Sequence, residues 1–195
     1  DGAELGEPDL GHIVENRAIQ LALWERLEQA PDLSLIAPAS IAELVRGDET
    51  SRLVLGEGRI LETRLLVAAD GRDSLIRELA GIPTRGWDYD QRAIVANVRP
   101  EQWHEETAWQ RFLPTGPLAL LPLADGRCSI VWSVTEGRAQ ELVAMDDTRF
   151  SEALTDASEG RLGRIRVDGP RAAVPLRLQH AERYVESGLA LIGDA

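Results

Sequence analysis

Five consecutive apolar residues, Leu65-Leu66-Val67-Ala68-Ala69, run straight into Asp70-Gly71. A strand that is apolar on both faces has to be covered on both, which is the situation of a strand inside an α/β layer. Asp70-Gly71 breaks the run, Asp73 or Ser74 can cap a following helix, and Gly81 and Pro83 stop it beyond Leu79. Strand, turn and helix in that order aim backbone N–H groups at an anion or a ribose, and a glycine lets the backbone come close. Read locally, the same segment is a strand-to-helix turn with Asp70 as its cap. Leu189-Ala190-Leu191-Ile192 followed by Gly193-Asp194-Ala195 repeats the form, a buried strand carrying a carboxylate to a sheet edge.

Other elements are arranged around these two strands. Ile19, Leu23 and Leu27, with Ala22 and Ala30, recur at helical spacing and predict a helix with one buried face ahead of Pro31. Short strand-like runs follow at 33–36, 41–46, 52–55 and 59–62, the last two joined by Gly56-Glu57-Gly58, and predict a small antiparallel meander. From Gly86 the texture changes. Trp87, Trp103, Trp109 and Trp132 mark a second core, with strand-like runs at 92–98, 107–113, 118–121 and 128–134. Asp125-Gly126 is a hairpin signal, so a mostly antiparallel sheet is expected. Helical patterns at 138–143 and 148–157 precede another strand-like stretch at 172–178.

Composition removes several classes of function. At net charge −12 over 195 residues a broad phosphate-binding surface, and with it nucleic acid, is not expected. No apolar run approaches the roughly 18 residues that span a bilayer. Cys128 is the single cysteine, which excludes an internal disulfide framework and a multi-cysteine metal site. His12, His104 and His180 lie in separate segments, so no metal centre is expected. Every basic residue is arginine; without lysine there is neither a Schiff base nor a P-loop lysine. No serine stands in a Gly-x-Ser-x-Gly turn. Glu101, Glu105 and Glu106 read as a solvated acidic loop, and Cys128 as a small buried hydrophobe.

Taken together, four stretches resemble the aromatic-hydroxylating FAD monooxygenases and, within them, the ubiquinone-biosynthesis hydroxylases that act on polyprenylated phenols. They are Gly11-His12-Ile13-Val14-Glu15-Asn16-Arg17; the run from Leu66 through Asp70-Gly71-Arg72-Asp73-Ser74 to Arg77; the run from Gln110 through Pro114-Thr115-Gly116-Pro117-Leu118-Ala119-Leu120-Leu121 to Leu123; and residues 188–195. The third stretch, continuing into Ser129-Ile130-Val131-Trp132-Ser133, is the one most similar to the ubiquinone branch.

The resemblance implies an α/β (α+β) fold like that of para-hydroxybenzoate hydroxylase. Residues 1–84 would form part of an FAD-binding domain, 85–182 a substrate-binding domain, and 183–195 the return to the first. It implies that Asp194, with Gly193, binds the FAD ribityl chain and that Arg17 lies near the ribityl and phosphate region. Asp70 and Gly71 would hold the middle of FAD and influence access of NAD(P)H, the reductant. Pro114, Gly116, Pro117, Leu118 and Leu120 would line the substrate cavity, although a plain core strand is the competing account. Tyr89 and Gln91 fit the family's Tyr-x-Gln pattern at the entry to the substrate domain, a position as readily structural as functional.

No side chain is expected to be catalytic, because the C4a-hydroperoxide of the reduced flavin would carry oxygen to the phenol ring. The partners implied are a polyprenyl phenol and other ubiquinone-biosynthesis proteins, in a cytoplasmic or membrane-peripheral setting. The family's opening Gly-x-Gly-x-x-Gly turn is not in this sequence, and Asp1 is not a methionine. The chain therefore reads as an internal piece, expected to be colourless and inactive alone. Two alternatives stay open: another flavoenzyme of the same fold, a halogenase or a prenyl reductase, and a non-catalytic lipid- or partner-binding domain.

Overall fold

The computed structural model describes residues 4, 6–7 and 9–195. The chain divides into two compact units, one made of Asp1–Ala30 and Asp88–Leu176, the other of Pro31–Trp87 and Arg177–Ala195.

The first unit is built on a sheet of order β6-β7-β8-β5-β9, formed by β6 (Trp109–Leu113), β7 (Gly116–Pro122), β8 (Cys128–Thr135) and the larger parts of β5 (Thr84–Pro100) and β9 (Ile165–Ala181), whose residues 84–87 and 177–181 belong to the second unit. Strands β6, β7, β8 and β5 pair antiparallel in turn, with Trp109 opposite Leu120, Leu120 opposite Ile130, and Trp132 opposite Ile94. The expected turn at Asp125-Gly126 forms, with Gly126 at φ 85° and its N–H donated to the Leu123 carbonyl at 3.1 Å. Helices α3 (Glu136–Ala144) and α4 (Asp147–Ala157) supply Ala139, Leu142, Phe150 and Leu154 to a core shared with Ile94, Leu118, Leu120, Ile130 and Trp132. Asp146 caps α4 by accepting from the Arg149 N–H at 2.9 Å.

The N-terminal part of β9 lies at the sheet's edge, and α4 covers part of its backbone. Thr155 Oγ1 accepts from the Ile165 N–H at 3.0 Å and Ser151 Oγ accepts from the Val167 N–H at 3.1 Å. Four residues separate the two hydroxyls, so both project from one side of the helix and meet alternate amides of the strand.

The second unit holds the meander β1 (Ile41–Arg46), β2 (Ser51–Leu55) and β3 (Ile60–Thr63), all antiparallel. Beside it a second sheet has the order β10-β11-β4, from β4 (Leu66–Ala68), β10 (Val185–Glu186) and β11 (Leu189–Leu191). Helix α2 (Leu75–Leu79) follows β4, and Leu53, Ala68, Ile76, Ile82, Leu189 and Leu191 form this unit's core.

Four expectations need correction. Residues 33–36 have strand-like alternation but are not a strand, because no strand lies beside them to take up their backbone hydrogen bonds. Helix α1 (Asn16–Glu28) forms where expected, yet none of its residues is buried; Leu23 is 59% exposed, so its apolar face has no cover among the described residues. Strand β4 is covered on one face only: Ala68 is buried while Val67 is 47% exposed. β5 and β9, at 17 residues each, also run well beyond the segments their apolar patterns mark: β5 begins with seven exposed residues that carry no burial pattern, and β9 reaches from the buried Ile165 to the buried Ala181 through a stretch in which no residue is buried.

Candidate functional site

β4 and β11 are parallel neighbours in register, Leu66 beside Leu189, Val67 beside Ala190 and Ala68 beside Leu191. Both strands therefore end at the same level. Asp70-Gly71 and Gly193-Asp194 leave the sheet side by side at its carboxyl edge, where open α/β sheets bind ligands. The Ile192 N–H donated to the Ala68 carbonyl at 2.9 Å carries the pairing one step further toward both turns.

The turn after β4 is tightly fixed. The Ser74 hydroxyl donates to Asp70 Oδ1 at 2.6 Å and accepts from the Arg77 N–H at 3.1 Å, while the Ile76 N–H donates to Asp70 Oδ2 at 3.2 Å. Burial works against the charged form of Asp70, but the Ser74 hydroxyl and the amides of Ile76 and Leu75 outweigh it and hold the carboxyl below its ordinary value. Asp70 is thus the cap that a local reading gives it, and it stays exposed to solvent with acceptor sites to spare. Arg77, 9% exposed, donates from Nη2 to the Arg72 carbonyl at 2.8 Å and pins the next residue of the turn.

Gly71 (φ 82°) and Gly193 (φ 64°) sit in the left-handed region, and a Cβ on either would meet nothing within 4 Å. Their backbones are bare toward open space, which is the surface a close-approaching ligand needs. Asp194 is exposed beside Gly193. Arg17 stands in the first turn of α1, in the other unit, with its side chain exposed.

The remaining predicted residues lie on the β6–β7 hairpin of the large sheet. Pro114 is exposed in the turn, and Pro117 is half-buried. Gly116 (φ 137°) lies so close to β8 that a Cβ would come within 2.5 Å of the Ser133 carbonyl oxygen. Leu118 and Leu120 are 1% and 3% exposed and face the helices, as part of the core; Ala119 and Leu121 project to the opposite face and are only half-buried. Gln91 Nε2 donates to the Thr115 carbonyl at 3.2 Å, tying β5 to this hairpin turn.

His104 is a fixture that its sequence context did not signal. It is buried, and its Nδ1 accepts from the Glu106 N–H at 3.1 Å, so the ring proton belongs on Nε2, which donates to the Leu123 carbonyl at 3.1 Å. An isolated histidine between acidic residues carries no periodicity, and only the folded loop shows the clamp.

The fold, with parallel strands that deliver Asp-Gly and Gly-Asp turns to one edge and a separate antiparallel sheet, is that of the flavin-dependent aromatic hydroxylases. PqsL of P. aeruginosa in complex with 2-aminobenzoylacetate superposes with a TM-score of 0.76 at 19% identity, over 91% of this chain and 51% of that one. The chain belongs to the FAD binding domain family, which it matches over residues 44–195. It is 39% identical over its whole length to half of the 3-demethoxyubiquinol 3-hydroxylase of Escherichia coli K12. It is 40% identical to the ubiquinone hydroxylase UbiL of Rhodospirillum rubrum, over 95% of this chain and 43% of that protein. The chain thus spans about half the length of the curated relatives it matches.

Proposed function

We propose that the protein containing this chain is an FAD-dependent monooxygenase of ubiquinone biosynthesis that hydroxylates a polyprenylated phenol, with NAD(P)H as reductant. The observation that carries the reading is the parallel register of β4 and β11, which puts Asp70-Gly71 and Gly193-Asp194 at one sheet edge. The relatives, a 3-demethoxyubiquinol 3-hydroxylase and a ubiquinone hydroxylase, support the pathway.

The residues fit the cofactor. Two glycines with open space at their Cβ positions let a ligand approach the backbone closely, and the exposed carboxylate of Asp194 can accept from ribityl hydroxyls. Asp70, fixed by Ser74 and Ile76, would hold the middle of FAD, and Arg17 would neutralise phosphate. Bound FAD, once reduced, would supply the oxygen-transfer chemistry with O2. This chain's own side chains would bind and orient the ring and exclude water.

Of the two faces of β7, the half-buried one carrying Ala119 and Leu121, with Pro117 beside them, is the one open to a substrate. Leu118 and Leu120 would support it from behind. The 17-residue β5 and β9 belong in this reading to the substrate domain at 85–182, with 1–84 and 183–195 on the flavin side. No helix among the described residues is long and apolar enough to cross a membrane.

The test is Asp194→Ala in the full-length protein. Loss of a charge-assisted hydrogen bond, about 1.5 to 3 kcal/mol, should weaken FAD binding at least tenfold, read by equilibrium dialysis. Unchanged flavin retention would remove Asp194 from the site.

A further inference from the structure

A second cleft lies in the large-sheet unit, between edge strand β6 and the C-terminal turn of α4, with a volume of about 260 Å³. Leu118 and Leu120 form its floor, Trp109 a wall, and Arg111, Glu159 and Arg161 its rim. Small-molecule pockets start at roughly 300 Å³, so this one suits a single ring rather than a whole polyprenyl chain.

The rim is built asymmetrically. The Arg111 guanidinium is held on the protein: it donates to the Ala157 carbonyl at 2.7 Å, to the Asp156 carbonyl at 3.5 Å and to the Glu159 carboxylate at 2.5 Å. It thereby caps the negative end of α4 and neutralises Glu159 together. Arg161 is different. It is exposed, its guanidinium rests on the Trp109 ring 3.8 Å from the centroid, and no carboxylate among the described residues pairs with it. An apolar floor, an aromatic wall and one cation without an anion at the mouth are complementary to a flat ring bearing a negative group.

We propose that this cleft is a binding site for a small aromatic carboxylate, the ring on Leu118 and Leu120 beside Trp109 and the carboxylate paired with Arg161. Turning Arg161 from the Trp109 face toward a ligand anion breaks no ion pair, and its planar fork matches a carboxylate with two parallel hydrogen bonds. A cation would meet two guanidiniums, and a neutral ring would leave Arg161 unanswered.

The test uses the full-length protein and ligand-observed saturation-transfer NMR, with benzoate, benzyl alcohol and benzylamine as probes. Benzoate should bind saturably and the other two at least tenfold more weakly. Arg161→Gln, at an exposed position, should weaken benzoate about tenfold or more, the loss of one charge-assisted pair, and Arg161→Lys should restore part of it. Benzoate binding that Arg161→Gln leaves unchanged would place the ligand elsewhere on the protein and overturn the proposal. Benzylamine or benzyl alcohol binding as tightly as benzoate would overturn it as well.

Discussion

Ser74 is the residue on which the Asp-Gly turn hangs, because its buried hydroxyl bonds Asp70 on one side and the Arg77 amide in the first turn of α2 on the other. Ser74→Ala should destabilise the protein by about 1 kcal/mol at neutral pH, the usual loss for a helix cap. The pH dependence has a definite sign. Asp70 titrates below its ordinary value when folded, so the stability its charged form contributes is present above the ordinary carboxyl range and is lost as pH falls through the lowered value. Urea denaturation of wild type and variant should accordingly differ most near pH 7, and the gap should narrow in acid to what the bond to the Arg77 amide alone contributes. A gap that stays constant down to strongly acidic pH would mean that Ser74 acts on the helix alone. Ser74 was legible in the sequence as a cap, since a hydroxyl three residues before Arg77 at a helix entry has few other uses. That it also fixes Asp70 was not, because the bond depends on how the chain turns at Gly71.

At the scale of elements, the apolar runs at 65–69 and 189–192 foretold β4 and β11, and the Asp125-Gly126 turn foretold the β7–β8 hairpin. Those signals are local. Pairing is not local, which is why residues 33–36 share the pattern of a strand without becoming one, and why α1 shows helical spacing with no buried face. The seam between α4 and β9 was equally invisible, since nothing in Ser151 and Thr155 announces that they will meet strand amides. Thr155→Val preserves shape and removes the acceptor for the Ile165 N–H, a buried residue at 1% exposure. The loss should be about 1 to 3 kcal/mol, the penalty for a buried donor left unpaired. Hydrogen exchange at the Ile165 amide should quicken in step; protection equal to wild type would show that another acceptor takes over.

For the whole molecule, the large sheet has two unlike faces, one packed under α3 and α4 and open only at the small cleft beside β6, and one half open. Leu120→Trp forces a large ring into the packed side and should unfold the protein or lower its Tm by several degrees. Leu121→Trp points to the half-open face, so the full-length enzyme should keep its fold and FAD while releasing more hydrogen peroxide per hydroxylated product, as the displaced ring is no longer held in line. Peroxide measured against product in the two variants separates the faces. Equal coupling in Leu121→Trp and wild type would make that face plain surface. Periodicity alone divided the strand into two sets of side chains but could not say which set met the helices.

Cys128 lies on the packed side with no exposed surface, and burial pushes its thiol up to about 11. Near neutral pH only about one molecule in ten thousand would carry the thiolate, the form that oxidants attack. On the proposed function, peroxide released when a ring is misplaced would be a poison of the enzyme's own making. This chain keeps its one cysteine in a form and a place that the poison cannot use, leaving the half-buried Met145 as its only other sulfur and so the first to bear the damage.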